Sequence, residues 1–274
     1  MADLVEYISN LFNTKGYLLW LLVVSFVCFI LERLVPWRKT QQWPRADLAQ
    51  DIFYLIFNGQ IVGLIIAWIS VPFLRYILGI FDITGLPRPN ELNLLSGSPA
   101  IVQFGVYFVI KDLAEYIIHY QLHARSWLWT FHKLHHSLVT MDWIGNFRFH
   151  WMEIIVYRTL SWLPLVILGV GWDILLPLAI IVTLVGHLNH SNVRISWGPL
   201  RYVFNSARMH IWHHDYIMHR PNGQNFAVVF SLWDWLFGTA YFPFEKEGPD
   251  RLGFPGMETF PRSLLSRLLY PVTR

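Results

Sequence analysis

Uncharged apolar segments long enough to enter a membrane recur along the first two thirds of the chain. Positions 16–31 carry no charge, but about 24 Å of helix is short of a hydrocarbon core of roughly 30 Å unless flanking charged side chains snorkel. Positions 52–74 are also uncharged and long enough to cross back. These two segments predict transmembrane helices. The loop between them predicts a cytoplasmic side, because basic residues and interfacial tryptophans cluster there: Arg33, Arg38, Lys39, Arg45, Trp37 and Trp43.

The next segment predicts one long helix whose first part crosses the membrane and whose last part carries candidate metal ligands. Ser98 and Pro99 form a helix start, and no breaker follows until about Ala124. Past Arg75, which directly follows the second apolar segment, the preceding loop has a single basic residue, Arg88, and is expected outside. A helix of roughly 39 Å is longer than the bilayer core, so it should cross and project into the cytoplasm. Beyond Lys111, polar residues recur at helical spacing on one stripe: Asp112, Glu115, His119 and His123.

Positions 154–188 form a second apolar region, with a Gly-rich turn near its middle and prolines that predict kinks. Each arm has only about fourteen uncharged residues, so a shallow hairpin and two complete crossings are both open. In both cases the two ends of this region lie on the same side of the membrane. The remainder, from Asn192, predicts a cytoplasmic cap, and SLLSRLLY near the end predicts an amphipathic segment on the membrane surface.

Composition agrees with a membrane protein, since 54% of the 274 residues are hydrophobic and only 14% are charged. We predict an all-α, multi-pass bundle of about four to five membrane helices with a histidine-rich cap that holds a dinuclear metal site. The expected division is 1–98 for the N-terminal membrane helices, 99–243 for the catalytic domain and 244–274 for a C-terminal tail. The acidic start MADLVEYISN argues against a removable signal peptide.

Charge and cysteine content exclude several classes of function. The net charge is +3, but the basic residues form no run, which disfavours a nucleic-acid partner. The single cysteine, Cys28, lies in an apolar segment, so neither a disulfide framework nor a cysteine-ligated metal site is expected within one chain.

Histidine spacing is the strongest chemical signal. All 12 histidines lie between His119 and His219, and HxxHH occurs twice. Imidazole is a common metal ligand, and helical spacings of three or four bring two rings to one face. One ion uses four to six ligands, so ten such imidazoles predict two metals, whose identity the spacing leaves open among iron, zinc and copper. The predicted ligands are His119, His123, His132, His135, His136, His187, His190, His210, His213 and His214.

Residues near these motifs are expected to support them. His150 and His219 stand outside the paired spacings and are expected to have structural roles or to contact ligands. Carboxylates beside the histidines would fix the ring tautomers by hydrogen bonding. The candidates are Asp112, Glu115, Asp142, Glu153 and Asp215.

The ordered motifs HxxxH, HxxHH, HxxH and HxxHH resemble those of the fatty acid hydroxylase and sterol desaturase superfamily. The surrounding stretches DLAEYIIHYQLHA, WTFHKLHHS, HLNHSNVRISWGPLRYVFN and ARMHIWHHD resemble its signature segments, over positions 101–243. The resemblance implies two iron ions on the ten histidines, with zinc able to replace them during purification, and O2 as co-substrate. Members vary between two and three intervening residues at the pair His187 and His190.

Under this resemblance, the chain oxidises an unactivated C–H bond of a membrane lipid. Electrons are expected from an external donor of ferredoxin or cytochrome b type with its reductase. The active site should lie on the cytoplasmic face of a bacterial inner membrane or the endoplasmic reticulum. The substrate is open among fatty acyl, sterol, sphingoid, ether and amino lipids. Aromatic residues expected in the pocket wall are Trp143, Phe147, Phe149, Trp151 and Trp212.

Two other functions compete with hydroxylation. Desaturation by the same metal centre is not separated from it by the motifs. A membrane metal transporter or metal-binding protein belongs to another class, but its ligands should lie near the bilayer midplane, whereas the HxxHH motifs lie outside the apolar segments.

Overall fold

The computed structural model describes residues 16–85, 95 and 97–271, and over these it is helical, with isolated bridges but no strands. Helix α1 is Tyr17–Leu34. Its 18 residues span about 27 Å, so it runs slightly past the predicted segment and nearly matches the bilayer core. The N-terminal residues on which the absence of a signal peptide was predicted lie outside the described residues.

The second predicted crossing is longer than expected and contains a π-helical turn. Helix α2 is Leu48–Ile56, the π turn is Phe57–Ile61, and α3 is Val62–Thr84. In the π turn the buried Asn58 amide donates hydrogen bonds to the carbonyl oxygens of Phe147 and Phe149. The helix continues past position 74 and ends at Gly85, which adopts φ 68° as helix-terminating glycines do. Most of the predicted outer loop, including Arg88, lies outside the described residues.

Helix α4, Ala100–Ala124, begins after the Ser98–Pro99 pair and ends where the sequence predicted. Helix α5 is Ser126–His136, and a 3-10 turn follows at Trp143–Phe147. Lys111, Asp112 and Glu115 of α4 are buried within the protein. The polar stripe of α4 therefore faces protein rather than lipid or water.

The apolar hairpin consists of α6, Trp151–Ile167, and α7, Trp172–His190. Helix α6 packs on α3 and α4, while α7 packs on α1. Among the described residues, three helices are long and apolar enough to cross a membrane: Tyr17–Leu34, Leu48–Ile66 and Trp172–His190. Helix α6 has 17 residues, so whether the hairpin crosses completely stays a prediction.

Short helices and loops form the cap over the ends of α4, α5 and α7. They include α8, Ala207–His213, α9, Leu232–Leu236, and the 3-10 turns Gly198–Tyr202 and Met257–Thr259. The Asp112 carboxylate attaches the cap to α4, because it accepts hydrogen bonds from the backbone N–H groups of Val229 and Phe230 and from the Trp233 indole.

Helix α10, Leu264–Leu269, is the predicted amphipathic segment. Leu264 and Leu268 pack against a core cluster of the protein, and the buried Arg267 pairs with Asp47 at 2.9 Å. Only part of its apolar surface is exposed, chiefly Leu265. The helix is thus bound to the cap, and its membrane contact stays a prediction.

Candidate metal centre

Four helices bring nine of the ten predicted ligands to one place beneath the cap. Helix α4 supplies two histidines, α5 supplies three, α7 ends with one, and α8 with the residue after it supplies three. They form two groups, within each of which the ligand atoms lie within 4.8 Å of one another. The first is His119, His123, His132, His136 and His213, and the second is His135, His190, His210 and His214.

Each HxxHH motif is divided between the two groups. In the first motif His132 and His136, one helical turn apart, enter the five-histidine group, while His135 enters the other. In the second motif His210 and His214 enter the four-histidine group, while His213 crosses to the first. The two adjacent histidines that end each motif therefore belong to different groups.

The ring nitrogens within the groups are spaced as metal ligands are. His136 Nε2 lies 3.0 Å from His213 Nε2, and His190 Nε2 lies 3.2–3.3 Å from the Nε2 atoms of His210 and His135. Ligands about 2.0–2.1 Å from a shared ion have a similar separation from each other. Buried Nε2 atoms of His123 and His132 have no hydrogen-bond partner among the described residues. Both belong to the five-histidine group, where a cation would satisfy these lone pairs, so the residues fit a metal.

Hydrogen bonds on the outer side of several rings direct Nε2 inward. Backbone carbonyl oxygens accept from Nδ1 of three ligands: His119 to Phe226 at 2.7 Å, His190 to Gly186 at 2.8 Å and His213 to Gln224 at 2.7 Å. Because a neutral imidazole carries one N–H, placing it on Nδ1 leaves Nε2 as the ligand atom.

Glu153 performs the same role for His132 with a carboxylate. Its Oε1 lies 2.6 Å from His132 Nδ1, and both side chains are buried. Burial raises the pKa of Glu153 well above its usual range, so the ionised form requires nearby positive charge. A metal on the opposite side of His132 would supply that charge.

Burial also keeps the ligands neutral. It lowers the pKa of His119 to about 4, despite the favourable hydrogen bond to Phe226. Burial, reinforced by neighbouring histidines, lowers the pKa values of several others well below the usual range: His123, His132, His135, His136, His210, His213 and His214. Neutral imidazoles retain the lone pairs that metals bind.

His187 lies outside both groups, in contrast to the sequence prediction. Its Nε2 lies 3.1 Å from Ser25 Oγ and its Nδ1 lies 3.0 Å from Asn146 Nδ2. His187 and His190 are three residues apart on α7, a rotation about 60° short of a full helical turn, so their side chains point in different directions. His187 therefore faces α1 and the Trp143–Phe147 turn, while His190 reaches the second group.

The other predicted supporting residues contact partners outside the metal groups. Asp112 binds the cap, as described above, and Glu115 pairs with Lys111 at 2.5 Å. His150 Nδ1 accepts from the Met152 N–H at the start of α6. Asp215 and His219 pair with each other at 2.7 Å. Of the acids near the motifs in sequence, Glu153 is the one whose carboxylate reaches a histidine of either group, and sequence proximity alone gave no means to select it.

A largely apolar cavity of about 400 Å³ extends from the histidines between α4, α6 and α7. Ligands from both groups contribute to its inner end: His119, His132, His135, His190 and His210. Its outer part is lined by apolar and aromatic residues near the hairpin turn, namely Trp162, Val166, Trp172, Leu175 and Leu176. Sequence reasoning missed polar wall residues at intermediate depth, because Lys111, Tyr157 and Arg158 belong to no metal motif.

Two of the predicted aromatic wall residues, Phe147 and Phe149, line this cavity. Phe149 stacks on His135 with ring centroids 4.2 Å apart. The other three pack elsewhere. Trp143 packs with Leu21 and Ile144, the Trp151 indole donates to the Leu268 carbonyl, and Trp212 is buried with Met141 and Ile211. Tertiary packing rather than proximity to a motif decides which rings face the cavity.

Comparison with known proteins agrees with this geometry. The family model described as fatty acid hydroxylase matches residues 104–239, which include every histidine of both groups. The chain belongs to the fatty acid hydroxylase and sterol desaturase superfamily. The predicted resemblance is thereby confirmed.

Individual relatives of this superfamily are distant in sequence. The ornithine lipid hydroxylase OlsE of Rhizobium tropici is 27% identical over 96% of this chain and 78% of its own length. Methylsterol monooxygenase 1-1 of Arabidopsis thaliana and the very-long-chain aldehyde decarbonylase GL1-10 of Oryza sativa subsp. japonica are each 27% identical over 57% of this chain. The chain covers half the length of each of these two. No solved structure matches.

Proposed function

We propose that this chain is a membrane-bound monooxygenase that uses O2 and external electrons to hydroxylate a C–H bond of a lipid. The observation that carries the proposal is the shared inner end of the apolar cavity, where histidines from both groups meet the space that would hold a substrate. A hydrocarbon chain can enter such a cavity from a bilayer at little cost, because its apolar surface remains covered.

Nine histidines are proposed to hold two iron ions, five at one ion and four at the other. Iron fits because imidazole is among its common ligands and because O2 activation requires a redox-active metal, which zinc is not. When bound, the irons would supply the oxidising power for an unactivated C–H bond.

The protein residues would orient and isolate the reacting carbon. Phe149, which stacks on His135, and Phe147 narrow the cavity beside the second group. The neighbouring apolar residues of α6 and α7 exclude water from the bound chain. The carbonyl acceptors and Glu153 hold the ligand rings in fixed orientations, which keeps the two ion positions defined before substrate enters.

The proposed membrane orientation places the cap in the cytoplasm. The basic loop between α1 and α2 supports this orientation through the positive-inside rule. A soluble or membrane-bound reductant on that side, of ferredoxin or cytochrome b type, could then approach the cap. Names of the relatives support a lipid substrate, since they include an ornithine lipid hydroxylase and a methylsterol monooxygenase.

The test is metal analysis of detergent-purified protein together with lipid extracts from matched cells with and without the gene. We expect close to two irons per chain and a lipid that gains the mass of one oxygen atom only when the gene is present. Loss of two hydrogens instead would indicate desaturation by the same centre. The variant His135→Ala should abolish the product, whereas His219→Ala, outside both groups, should retain it. Purified protein without bound metal, or full turnover by His135→Ala, would refute the proposal.

A further inference from the structure

The wall of the apolar cavity carries two cationic side chains and one carboxylate. Between its metal end and its outer end the cavity wall includes two basic side chains and one acidic side chain: Lys111, Arg158 and Glu115. Lys111 and Glu115 form a buried pair at 2.5 Å, and the Lys111 ammonium also lies 4.6 Å from the Trp162 ring centroid. The charge of Lys111 is therefore compensated within the protein.

Arg158 lacks such a partner. No carboxylate in the part of the chain that the structure describes lies within ion-pair distance of its guanidinium. Glu115, which is already paired with Lys111, acts on it electrostatically from a greater distance. The guanidinium extends toward α3, where a Cβ added at Gly63 would lie 3.2 Å from its Nη1. Glycine at this position leaves room for the guanidinium beside the cavity. A half-buried guanidinium that shares one carboxylate with a lysine is incompletely neutralised, so the site favours a ligand that brings a second anion.

The depth of Arg158 in the cavity determines which part of a lipid it can contact. On α6 it follows Glu153, the partner of His132, by five residues, or roughly 7–8 Å along the helix. Beyond it the cavity continues past Val166 to Trp172, which is 59% exposed. Arg158 thus lies between the metal ligands and an apolar outer section long enough to hold hydrocarbon.

A lipid that entered with its hydrocarbon end first would place methylene groups against Arg158 and the Lys111–Glu115 pair. Its polar group would remain in the apolar outer section. Both placements are unfavourable, because each leaves charge or dipoles in contact with hydrocarbon. A lipid that entered with its polar group first would place that group beside Arg158 and leave its acyl chain in the apolar outer section.

We propose that Arg158 binds an anionic group of the lipid substrate, a carboxylate or a phosphate, and that the oxidised carbon lies only a few bonds from that group. Arg158 is then a positioning and specificity-determining residue, because a guanidinium pairs with both oxygens of such an anion in a fixed geometry. The inference rests on the proposed function, since it assumes that the metal end of the cavity oxidises the bound lipid.

The test measures lipid binding to the purified full-length protein, independently of turnover. One probe pair is N-palmitoyl-norleucine and its methyl ester, which differ only in the carboxylate. A second pair is phosphatidic acid and diacylglycerol with the same acyl chains. Because hydrogen bonds between charged groups are stronger than those between neutral groups, the wild type should bind one acidic probe roughly 10- to 100-fold more tightly than its neutral partner. The pair that shows this preference identifies the anion.

Arg158→Gln should abolish the preference while leaving the affinity for the neutral probe unchanged. Arg158→Lys should retain part of it, and Arg262→Gln, an exposed arginine outside the cavity, should retain all of it. Circular dichroism and metal content establish that each variant is folded. An unchanged acid-to-neutral ratio in Arg158→Gln, or no preference in the wild type, would overturn the inference even if the protein oxidises lipids.

Product analysis tests the position of oxidation. We expect the new oxygen near the polar group, and oxidation at the far end of the acyl chain would contradict the proposed orientation. If the binding preference depends on Arg158 but no lipid is oxidised, the anion site stands and the proposed function fails. The two claims are therefore separable.

Discussion

Removal of the Glu153 carboxylate should weaken one metal site and spare the other. Glu153 Oε1 lies 2.6 Å from His132 Nδ1, and the two side chains are 0% and 1% exposed, so water cannot replace the hydrogen bond without rearrangement. Loss of a carboxylate that orients a metal-bound histidine typically lowers metal affinity 10- to 100-fold, or about 1.4–2.8 kcal/mol. Glu153→Gln retains an oxygen that can accept a hydrogen bond from Nδ1, so its loss of metal affinity should be near the lower end of this range. Glu153→Ala leaves the Nδ1–H group of His132 unpaired, so its loss of metal affinity should be near the upper end.

The assay is metal retention against a graded series of chelator concentrations, with iron counted per chain. His132 belongs only to the five-histidine group, so we expect one of two irons to be released more readily while the second keeps its wild-type affinity. Glu258→Gln provides a matched control, because Glu258 is exposed and pairs with Arg251 on the surface. Wild-type retention of both irons in Glu153→Ala would refute the role of Glu153. Equal weakening of both sites in a folded variant would refute the division into two groups.

Three further predictions follow from the site. His187→Ala should retain two metals per chain and His190→Ala should lose one, because only His190 lies in a ligand group. Metal analysis measures this, and equal loss in both variants would restore His187 to the ligand set. The metal-free protein should lose stability as pH falls from about 6.5 toward 4. The buried His119, with its pKa lowered to about 4, stays neutral over this range while the unfolded chain takes up protons. The denaturant concentration at half-unfolding should fall with pH, and a constant value would contradict the prediction. Ala179→Phe should reduce oxidation of long-chain lipids roughly tenfold by overpacking the cavity, with metal content unchanged, and unimpaired turnover would place the substrate elsewhere.

Local pattern was sufficient to predict several elements. The end of α4 at Ala124 was predicted correctly and its start to within one residue, because proline and the absence of breakers act over a short range. The same holds for the hairpin and for the position of the first membrane helix. In α4, Pro99 occupies the N-cap position predicted for Ser98, and no side chain caps the helix. Helix α3 continues to Thr84, ten residues beyond the uncharged segment 52–74, because a helix can extend past the apolar segment that crosses a membrane.

The sequence by itself determined the family of the protein and the histidines from which its candidate metal centre is drawn. Histidine spacing depends only on helix periodicity, so nine of the ten predicted ligands meet in the structure. Tertiary structure alone decided the division of each HxxHH motif between two groups, the exclusion of His187, and the choice of Glu153 from several nearby acids. It also decided that Phe149 rather than Trp212 faces the cavity, and that Arg158 lies there without a carboxylate of its own. These outcomes depend on how α4, α6 and α7 pack, and that packing joins residues far apart in sequence through contacts that no local period encodes.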